Sequence, residues 1–149
     1  MKAELIAPCG MNCALCASYL AMTHGVRGKG VRLPYCAGCR QRPKICALLK
    51  KRCGRLRLGN ANYCFECPEF PCHGLATIDK RYRERYRMSM VENLMAIERD
   101  GMDQFLKAQR KTWPCPKCGG TVCCHNGLCF HCDLETLKGK TAKYRWEEP

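Results

Sequence analysis

The spacing of its cysteines constrains this chain more than any other feature. Sixteen of the 149 residues are cysteine, and they fall into two groups. Ten lie between residues 9 and 72 and six between residues 115 and 132, with none in the stretch that separates the groups. This density is typical of disulfide scaffolds and of metalloproteins, and it is uncommon elsewhere.

The beginning of the sequence favours the second of these classes. The opening "MKAELIAPCG" lacks the apolar core of a secretory signal, and nowhere do eighteen apolar residues follow one another. We therefore expect a cytoplasmic protein that does not contact a membrane. Structural disulfides are rare in a reducing compartment, so the cysteines are predicted to be metal ligands.

The C-terminal cysteines include two C-x₂-C pairs, Cys115 with Cys118 and Cys129 with Cys132, which ten residues separate. Proline and glycine within and after the first pair suit a tight turn in which two thiolates converge on one ion. Four sulfurs in a tetrahedron are the ligand set that structural zinc prefers. These four residues are therefore predicted to bind one Zn²⁺ in a zinc ribbon.

The residues between the two pairs are predicted to form a hairpin. Asn126-Gly127 fits its type I′ turn. Cys123 and Cys124 are adjacent, so on a strand their side chains point to opposite faces, and the pair cannot join one site without distortion. We expect one of them to be a small buried hydrophobic residue, and His125 to lie on the surface.

The N-terminal cysteines begin with a C-x₃-C-x₂-C run of Cys9, Cys13 and Cys16. A helix that starts near Asn12 would place two of these thiols on one face of its first turn, where the helix dipole favours an anionic cluster. Radical S-adenosylmethionine enzymes hold a [4Fe–4S] cluster with the same spacing. Those enzymes need a large barrel of β/α units, and this chain has no alternating strand–helix pattern. The spacing therefore supports a cluster without that reaction.

Seven more cysteines in this half extend the ligand set. They are Cys36, Cys39, Cys46, Cys53, Cys64, Cys67 and Cys72. Eight ligands would make two four-cysteine sites, and the spacing leaves their grouping open. A site built on the C-x₃-C-x₂-C run with one distant partner favours [4Fe–4S], whereas a division into C-x₂-C pairs favours Zn²⁺. Of the two we favour [4Fe–4S].

The stretch without cysteines is predicted to be helical. Ser89 followed by Glu92 is a capping-box signature, and an Asp-Gly pair ends the pattern. Val91, Leu94 and Met95 recur at helical spacing and are predicted to face the core. Residues 102–111 are predicted to form a second helix, and residues 75–87 an upstream helix with a strongly basic face.

These patterns together predict a small, irregular, metal-stabilised α+β protein. Residues 1–74 would form a cysteine-rich metal-binding module, residues 75–112 a helical segment, and residues 113–149 a zinc ribbon with a C-terminal tail. The first module is rich in glycine and proline and has few apolar residues with which to build a core. Metal ligation is expected to supply the cross-links that it needs.

The layout resembles the cysteine-rich domain of unknown function family 3795, in its longer form with a C-terminal zinc ribbon. The most specific pieces are "CGMNCALCASYL" and "CFECPEFPC". The resemblance implies a metal-binding protein of a kind found in many anaerobes, which favours iron–sulfur, and it implies no reaction. It supports a set of nine N-terminal cysteines: Cys9, Cys13, Cys16, Cys36, Cys39, Cys46, Cys64, Cys67 and Cys72. Cys53 lies in what looks like an insertion.

Part of the positive net charge of the chain is expected to balance the negative charge of these metal sites. The formal net charge is +13, and each four-thiolate site with Zn²⁺ or [4Fe–4S]²⁺ contributes −2, so three sites would leave +7. Basic segments with nearby tyrosines could bind RNA phosphates and bases. Charge balance favours the other explanation, in which they lie beside anionic metal centres.

Two functional hypotheses follow. The first is a metal-binding protein that acts in electron transfer or as an accessory subunit, with metal ions and a protein partner in a larger complex. The alternative is an all-zinc structural adaptor that binds RNA, DNA or protein through its basic face. No paired carboxylates, G-x-S-x-G motif or phosphate loop is recognisable, so no catalytic residue is predicted and an enzyme is not favoured.

Overall fold

A computed structural model describes residues 1–41 and 53–146. Within these ranges it contains six helices: α1 (Ala17–Thr23), α2 (Gly54–Arg57), α3 (His73–Tyr86), α4 (Met90–Asp100), α5 (Met102–Thr112) and α6 (Leu134–Gly139). Four short 3₁₀ turns lie at Ala3–Leu5, Cys13–Leu15, Val26–Lys29 and Cys64–Glu66. Strand pairing in the described residues is limited to three isolated bridges. The protein is therefore small and mostly helical, with less β structure than the α+β class predicted.

The central helices form where the sequence predicts them. Ser89 is the N-cap of α4, and its hydroxyl accepts a hydrogen bond from the backbone N–H of Glu92 at 3.0 Å. Gly101 follows the last residue of α4 with a φ of +82° and separates it from α5. These are local signals, because a cap and a stop act within one turn of the helix.

The buried face of α4 is the predicted one only in part: Leu94 is buried and Val91 packs against the core, as predicted. This face comprises Met90, Asn93, Leu94 and Ile97. Met95, which the spacing placed in the core, is 52% exposed, so that prediction is wrong. The reason is a polar contact: the Asn93 side chain is buried and donates a hydrogen bond to the carbonyl of Gly10 at 2.9 Å. Asn93 therefore faces the N-terminal module, and Met95 faces solvent.

The junction between α3 and α4 depends on a buried carboxylate that the sequence did not identify. Asp79 of α3 is 3% exposed. Its carboxylate accepts hydrogen bonds from the Ser89 hydroxyl at 2.8 Å and from the Val91 N–H at 3.0 Å. It also pairs with Arg83 at 3.0 Å, one turn further along α3. Asp79 thus satisfies the first turn of α4 and fixes the two helices relative to each other.

Contrary to expectation, the irregular N-terminal module supplies much of the apolar core. One cluster of buried residues joins α1 and the following loop to the C-terminal segment. Its members are Ala17, Leu20, Ala21, Val26, Val31, Leu33, Cys123, Phe130 and Leu137. A second cluster joins the loops around the N-terminal cysteines to α3 and α4 through Leu75, Ile78 and Leu94. The ends of the chain therefore pack against each other.

Candidate metal centre

Four C-terminal cysteines lie close enough to bind one ion. The sulfurs of Cys115, Cys118, Cys129 and Cys132, here called the C-terminal cluster, all lie within 4.8 Å of one another. Those of Cys118 and Cys129 are 3.8 Å apart. A tetrahedron with Zn–S bonds of ~2.3 Å has an edge of about 3.8 Å. The geometry of the cluster thus fits a four-thiolate metal site.

The backbone around the first pair forms a tight turn. The Gly119 N–H donates to the carbonyl of Cys115 at 2.8 Å, and the Cys115 N–H donates to the carbonyl of Gly120 at 2.6 Å. Gly119 has a φ of +70°, which favours glycine because a side chain there is strained. A Cβ at Gly120 would lie 3.2 Å from the Cys118 sulfur. Both glycines therefore allow the two thiols to converge.

Two thiols of the C-terminal cluster, those of Cys115 and Cys132, have shifted pKa values. Burial raises the pKa of Cys115, but the N–H groups of Cys118 and Lys117 donate to its sulfur and bring that pKa to about 7. A hydrogen bond with Cys118, together with burial, raises the pKa of Cys132 to about 12. Metals bind thiolates, so an ion entering the cluster at neutral pH displaces the remaining protons.

Asp133 supports the second pair of cysteines, and sequence reasoning missed it. Its carboxylate accepts a hydrogen bond from the Cys129 N–H at 2.9 Å and another from the Lys117 ammonium at 2.6 Å. These two donors, Lys117 first, lower the pKa of Asp133 below its usual range. Asp133 therefore stays charged and links the two halves of the C-terminal cluster. Its position directly after the second C-x₂-C pair was the only signal in the sequence.

The adjacent cysteines between the two pairs are both structural. Cys123 and Cys124 each have 0% of their surface exposed, so the expectation of one small buried residue is met twice. Cys123 belongs to the core cluster around α1, and Cys124 to the one around α3 and α4. Their side chains thus point to opposite sides, as the alternation along an extended chain requires.

His125 is buried rather than on the surface, so that prediction is wrong. It is 4% exposed, and its Nδ1 accepts a hydrogen bond from the N–H of Ala17, the first residue of α1, at 3.2 Å. Because an amide can only donate, the neutral ring carries its proton on Nε2, which donates to the Tyr82 hydroxyl at 3.3 Å. Burial lowers the pKa of His125 to about 4. The imidazole joins the C-terminal segment to α1 and α3.

The prediction of a type I′ turn at Asn126-Gly127 is also wrong, because a longer loop takes its place. Gly127 has a φ of +72°, but Arg87 is the one non-glycine residue with positive φ in the described ranges, so Asn126 does not adopt the required conformation. Backbone bonds join Cys123 to Leu128 and to Gly127, closing a loop longer than two residues. The Asn126 side chain is used instead to donate to the carbonyl of Lys143 at 2.8 Å.

The N-terminal cysteines divide into two neighbourhoods. In the first, Cys13 begins a 3₁₀ turn capped by Asn12, and Cys16 ends it, so the predicted helix is interrupted before α1. A hydrogen bond with the Cys39 thiol, together with burial, raises the pKa of Cys13, although the Cys39 N–H, which donates to the Cys13 sulfur at 3.3 Å, acts in the opposite direction. Burial, with Cys39 and Cys36 nearby, raises the pKa of Cys16. Two C-x₂-C pairs therefore meet here.

The second neighbourhood contains Cys53, Cys64, Cys67 and Cys72, which line one small cavity. Burial raises the pKa of Cys64 to about 12, and the thiols of the other three add to the effect. Cys53, which the resemblance left out, thus lies among predicted ligands. In the described residues, the C-terminal cluster is the one group of three or more Cys, His, Asp or Glu side chains close enough together to hold a metal ion as they stand.

Three further candidates are Cys9, Cys46 and His73. Cys9 is buried. Burial is the main cause that raises the pKa of Tyr82, and the thiol of Cys9 adds to the effect. Cys46 lies outside the described residues, so its role as a ligand stays a prediction. His73, weighed as an additional ligand, is an exposed residue at the start of α3.

A basic cleft adjoins the second neighbourhood. It has a volume of about 920 Å³ and is bordered by Cys53, Cys67 and Cys72. Its charged lining comprises Arg55, Glu69, Lys80, Arg81, Glu84 and Arg85. Four of these side chains are basic and two are acidic, so the net charge of the lining is positive. One of the carboxylates, Glu84, pairs with Lys80 at 3.9 Å. The predicted basic face of α3 thus lies next to cysteines rather than on an isolated surface.

Comparison with known proteins identifies the N-terminal part of the chain. Residues 5–77 match the model of a family described as "Protein of unknown function (DUF3795)", as the motifs around the N-terminal cysteines predicted. No curated protein and no solved structure matches the chain. Within the described ranges, no helix has the length and apolar character needed to cross a membrane.

Proposed function

We propose from the sites themselves that this chain, whose residues 5–77 match the model of a family of unknown function, is a metal-binding protein of two parts. The C-terminal cluster binds a structural Zn²⁺ as a zinc ribbon. The N-terminal module holds one or more four-cysteine centres of the iron–sulfur type. The protein acts in electron transfer or as an accessory subunit, in a compartment that keeps thiols reduced.

The observation that carries the proposal is the convergence of four thiols in the C-terminal cluster. Zinc suits this site because it prefers four sulfurs in a tetrahedron and needs no redox partner. Its role is structural, since the ligands surround the ion and leave no position for substrate. The residues that would hold it are Cys115, Cys118, Cys129 and Cys132, with Asp133 orienting the backbone of the second pair.

Support for iron–sulfur in the N-terminal module comes from the ligand types and their spacing along the chain. Four cysteines line one cavity whose described lining has no carboxylate or imidazole, and the C-x₃-C-x₂-C run of Cys9, Cys13 and Cys16 has a spacing that iron–sulfur clusters use. A cluster can change its oxidation state, which zinc cannot, and electron transfer is the function that this would serve.

The test is metal analysis of the full chain purified without oxygen. We expect about one zinc per chain, together with iron, sulfide and a brown absorption that bleaches on reduction. In Cys118→Ser the zinc should be lost and the iron retained, because Cys118 is exposed and contributes little to packing. A colourless protein that binds only zinc would overturn the iron–sulfur proposal.

A second candidate function is favoured by the basic cleft beside α3. Arginine and lysine side chains line it, so an all-zinc adaptor could bind RNA or DNA phosphates there. Such binding weakens steeply with salt, and the double variant Arg81→Gln with Arg85→Gln should reduce the slope of log affinity against log salt by up to about two. Binding that is absent at low salt would exclude this candidate.

A further inference from the structure

Cys53 occupies a position that the family resemblance does not explain. It directly precedes α2, and the N–H of Arg57 donates to its carbonyl at 3.1 Å. Its thiol borders the same small cavity as Cys64, Cys67 and Cys72. Cys53 therefore completes a set of four cysteines around one cavity, which is the number of ligands that a four-thiolate site needs.

The other three cysteines are placed by local structure. Cys64 and Cys67 span a 3₁₀ turn in which the N–H of Cys67 donates to the carbonyl of Cys64 at 3.1 Å. Cys72 directly precedes α3, which has 14 residues. The positive end of this helix dipole lies beside Cys72 and favours negative charge on its sulfur. Cys64 is anchored further by its own N–H, which donates to the carbonyl of Pro8 at 2.8 Å.

The cavity between these thiols is small and apolar. Its volume is about 30 Å³, and apart from the cysteines its lining comprises Arg55, Leu56, Ala61, Phe70 and Leu75. The walls bury Cys64, whereas Cys53, Cys67 and Cys72 are partly exposed on the side of the cleft. The lining offers thiols but no carboxylate or imidazole among the described residues, and sulfur-only ligation is typical of iron–sulfur clusters and of zinc.

Thiols alone are suitable ligands for either metal. The choice of [4Fe–4S] over Zn²⁺ at this site follows from the iron–sulfur centre proposed above for the N-terminal module.

The neighbouring charges suit an anionic centre that is reachable from solvent. Four thiolates around [4Fe–4S]²⁺ carry a net charge of −2. Arg55 lines both the small cavity and the basic cleft, and Lys80 and Arg81 line the cleft beside Cys53, Cys67 and Cys72. The cleft therefore offers a route for cluster insertion and positive charge that compensates the bound cluster.

We propose that Cys53, Cys64, Cys67 and Cys72 are the four ligands of a [4Fe–4S] cluster, and that Cys53 supplies the ligand that the family resemblance leaves unassigned. This inference deepens the proposed function and rests on it for the presence of iron and sulfide. It adds the grouping of the ligands.

The test compares Cys53→Ala with Cys118→Ser in the full chain, purified without oxygen and reconstituted with ferrous iron and sulfide. Cys118→Ser is the reciprocal control because Cys118 is an exposed member of the C-terminal cluster. We expect Cys53→Ala to lose about four iron and four sulfide per chain relative to the wild type and to keep the zinc, which reports that it folds. Cys118→Ser should lose the zinc and keep the iron.

A second measurement on the wild-type chain does not depend on how the variant folds. If Cys53 is a ligand, alkylation mapped by mass spectrometry should leave it unmodified in the reconstituted protein and modify it once a chelator has removed the iron. Alkylation of Cys53 while the iron is bound would overturn the proposal, as would full iron content in Cys53→Ala. Absence of iron from the wild type would instead remove the proposed iron–sulfur function.

Discussion

Gly10 shows how one backbone position controls the packing of the N-terminal cysteines. It lies in the loop between Cys9 and Cys13, with a φ of +85°. A Cβ at this position would overlap the carbonyl oxygen of Met90 and lie 2.8 Å from Cγ of Leu94. The sequence shows the glycine, but the reason for it, the close approach of α4, exists only in the folded chain.

Gly10→Ala is therefore expected to lower the free energy of unfolding by about 3 kcal/mol or more, combining left-handed backbone strain with a steric clash. Urea unfolding with bound metal would measure it. Gly25→Ala is the control, because Gly25 has a φ of +59° but a Cβ added there would meet no atom within 4 Å, so only the strain of about 1–2 kcal/mol applies. Equal losses in the two variants would contradict the role of the clash.

His125 makes stability depend on pH. Its pKa is about 4 in the folded chain because of burial, against about 6.5 when unfolded. The groups that face it are Tyr82 and Tyr86 of α3, Tyr144 and the thiol of Cys124, none of which supplies a negative charge in this pH range. Between these pH values the unfolded state binds the extra proton, so stability falls as the pH drops.

The expected loss at pH 5.5, relative to pH 7.5, is about 1.4 kcal/mol from this residue alone. His125→Gln should lack this component, since an amide can accept from Ala17 and donate to Tyr82 without titrating. Urea unfolding at the two pH values, with zinc in excess, would compare them. His73→Gln, which removes an exposed imidazole, should keep the wild-type difference. A wild-type difference that persists in His125→Gln would contradict the assignment.

At the scale of elements, Asp79 bonds α3 to the start of α4. Its carboxylate accepts from the N-cap Ser89 and from Val91, so the start of one helix is bonded to the middle of the other. Ser89 was predicted from its local pattern, whereas Asp79 falls in a helix predicted to carry a basic face. Local capping signals identify where a helix starts, but not which neighbour stabilises that start.

Asp79→Asn should lower the free energy of unfolding by about 1–3 kcal/mol, because it weakens three contacts to a buried acceptor. Asp100→Asn is the matched control: Asp100 also pairs with an arginine, Arg99, but on the surface, where such pairs are worth about 0–1 kcal/mol. Urea unfolding of both variants beside the wild type would separate the two roles. A larger effect at Asp100 than at Asp79 would contradict the buried junction.

At the scale of the whole molecule, the C-terminal cluster and the N-terminal module stabilise each other. Phe130 and Leu137, which lie within and after the second cysteine pair, pack in one core with Leu20 and Val26. Two hydrogen bonds cross the same boundary, from Cys124 to Leu15 and from Ala17 to His125. Metal binding at the cluster is therefore expected to stabilise α1, although α1 contributes no ligand to it.

Cys118→Ser tests this coupling, because Cys118 is exposed and its loss should act through the metal rather than through packing. Zinc ligation supplies much of the folding free energy of small metal-bound modules. We expect amide hydrogen exchange in α1 to become at least about tenfold faster, which corresponds to about 1.4 kcal/mol. Addition of a zinc chelator to the wild type should have the same effect. Unchanged exchange in α1 after zinc loss would show that the two parts fold independently.

The sequence by itself determined the features that act within one or two turns of the chain. The C-x₂-C pairs are of this kind, since two thiols three residues apart converge wherever the backbone turns tightly. The Ser89 cap and the helices α3, α4 and α5 follow from equally local signals. The nine family cysteines came from motifs, and their ligand roles stay predictions, as does the division into three segments.

Only the tertiary structure decided which distant residues meet. Ala17 and His125 are 108 positions apart, and no periodic pattern reports such a contact. The same holds for the buried face of α4, which Asn93 and Gly10 set, and for the position of Cys53 beside a cavity that Cys64 also lines. The physical reason is that hydrophobic spacing specifies which face is apolar, whereas single hydrogen bonds and close backbone approaches specify what that face, or a given thiol, packs against.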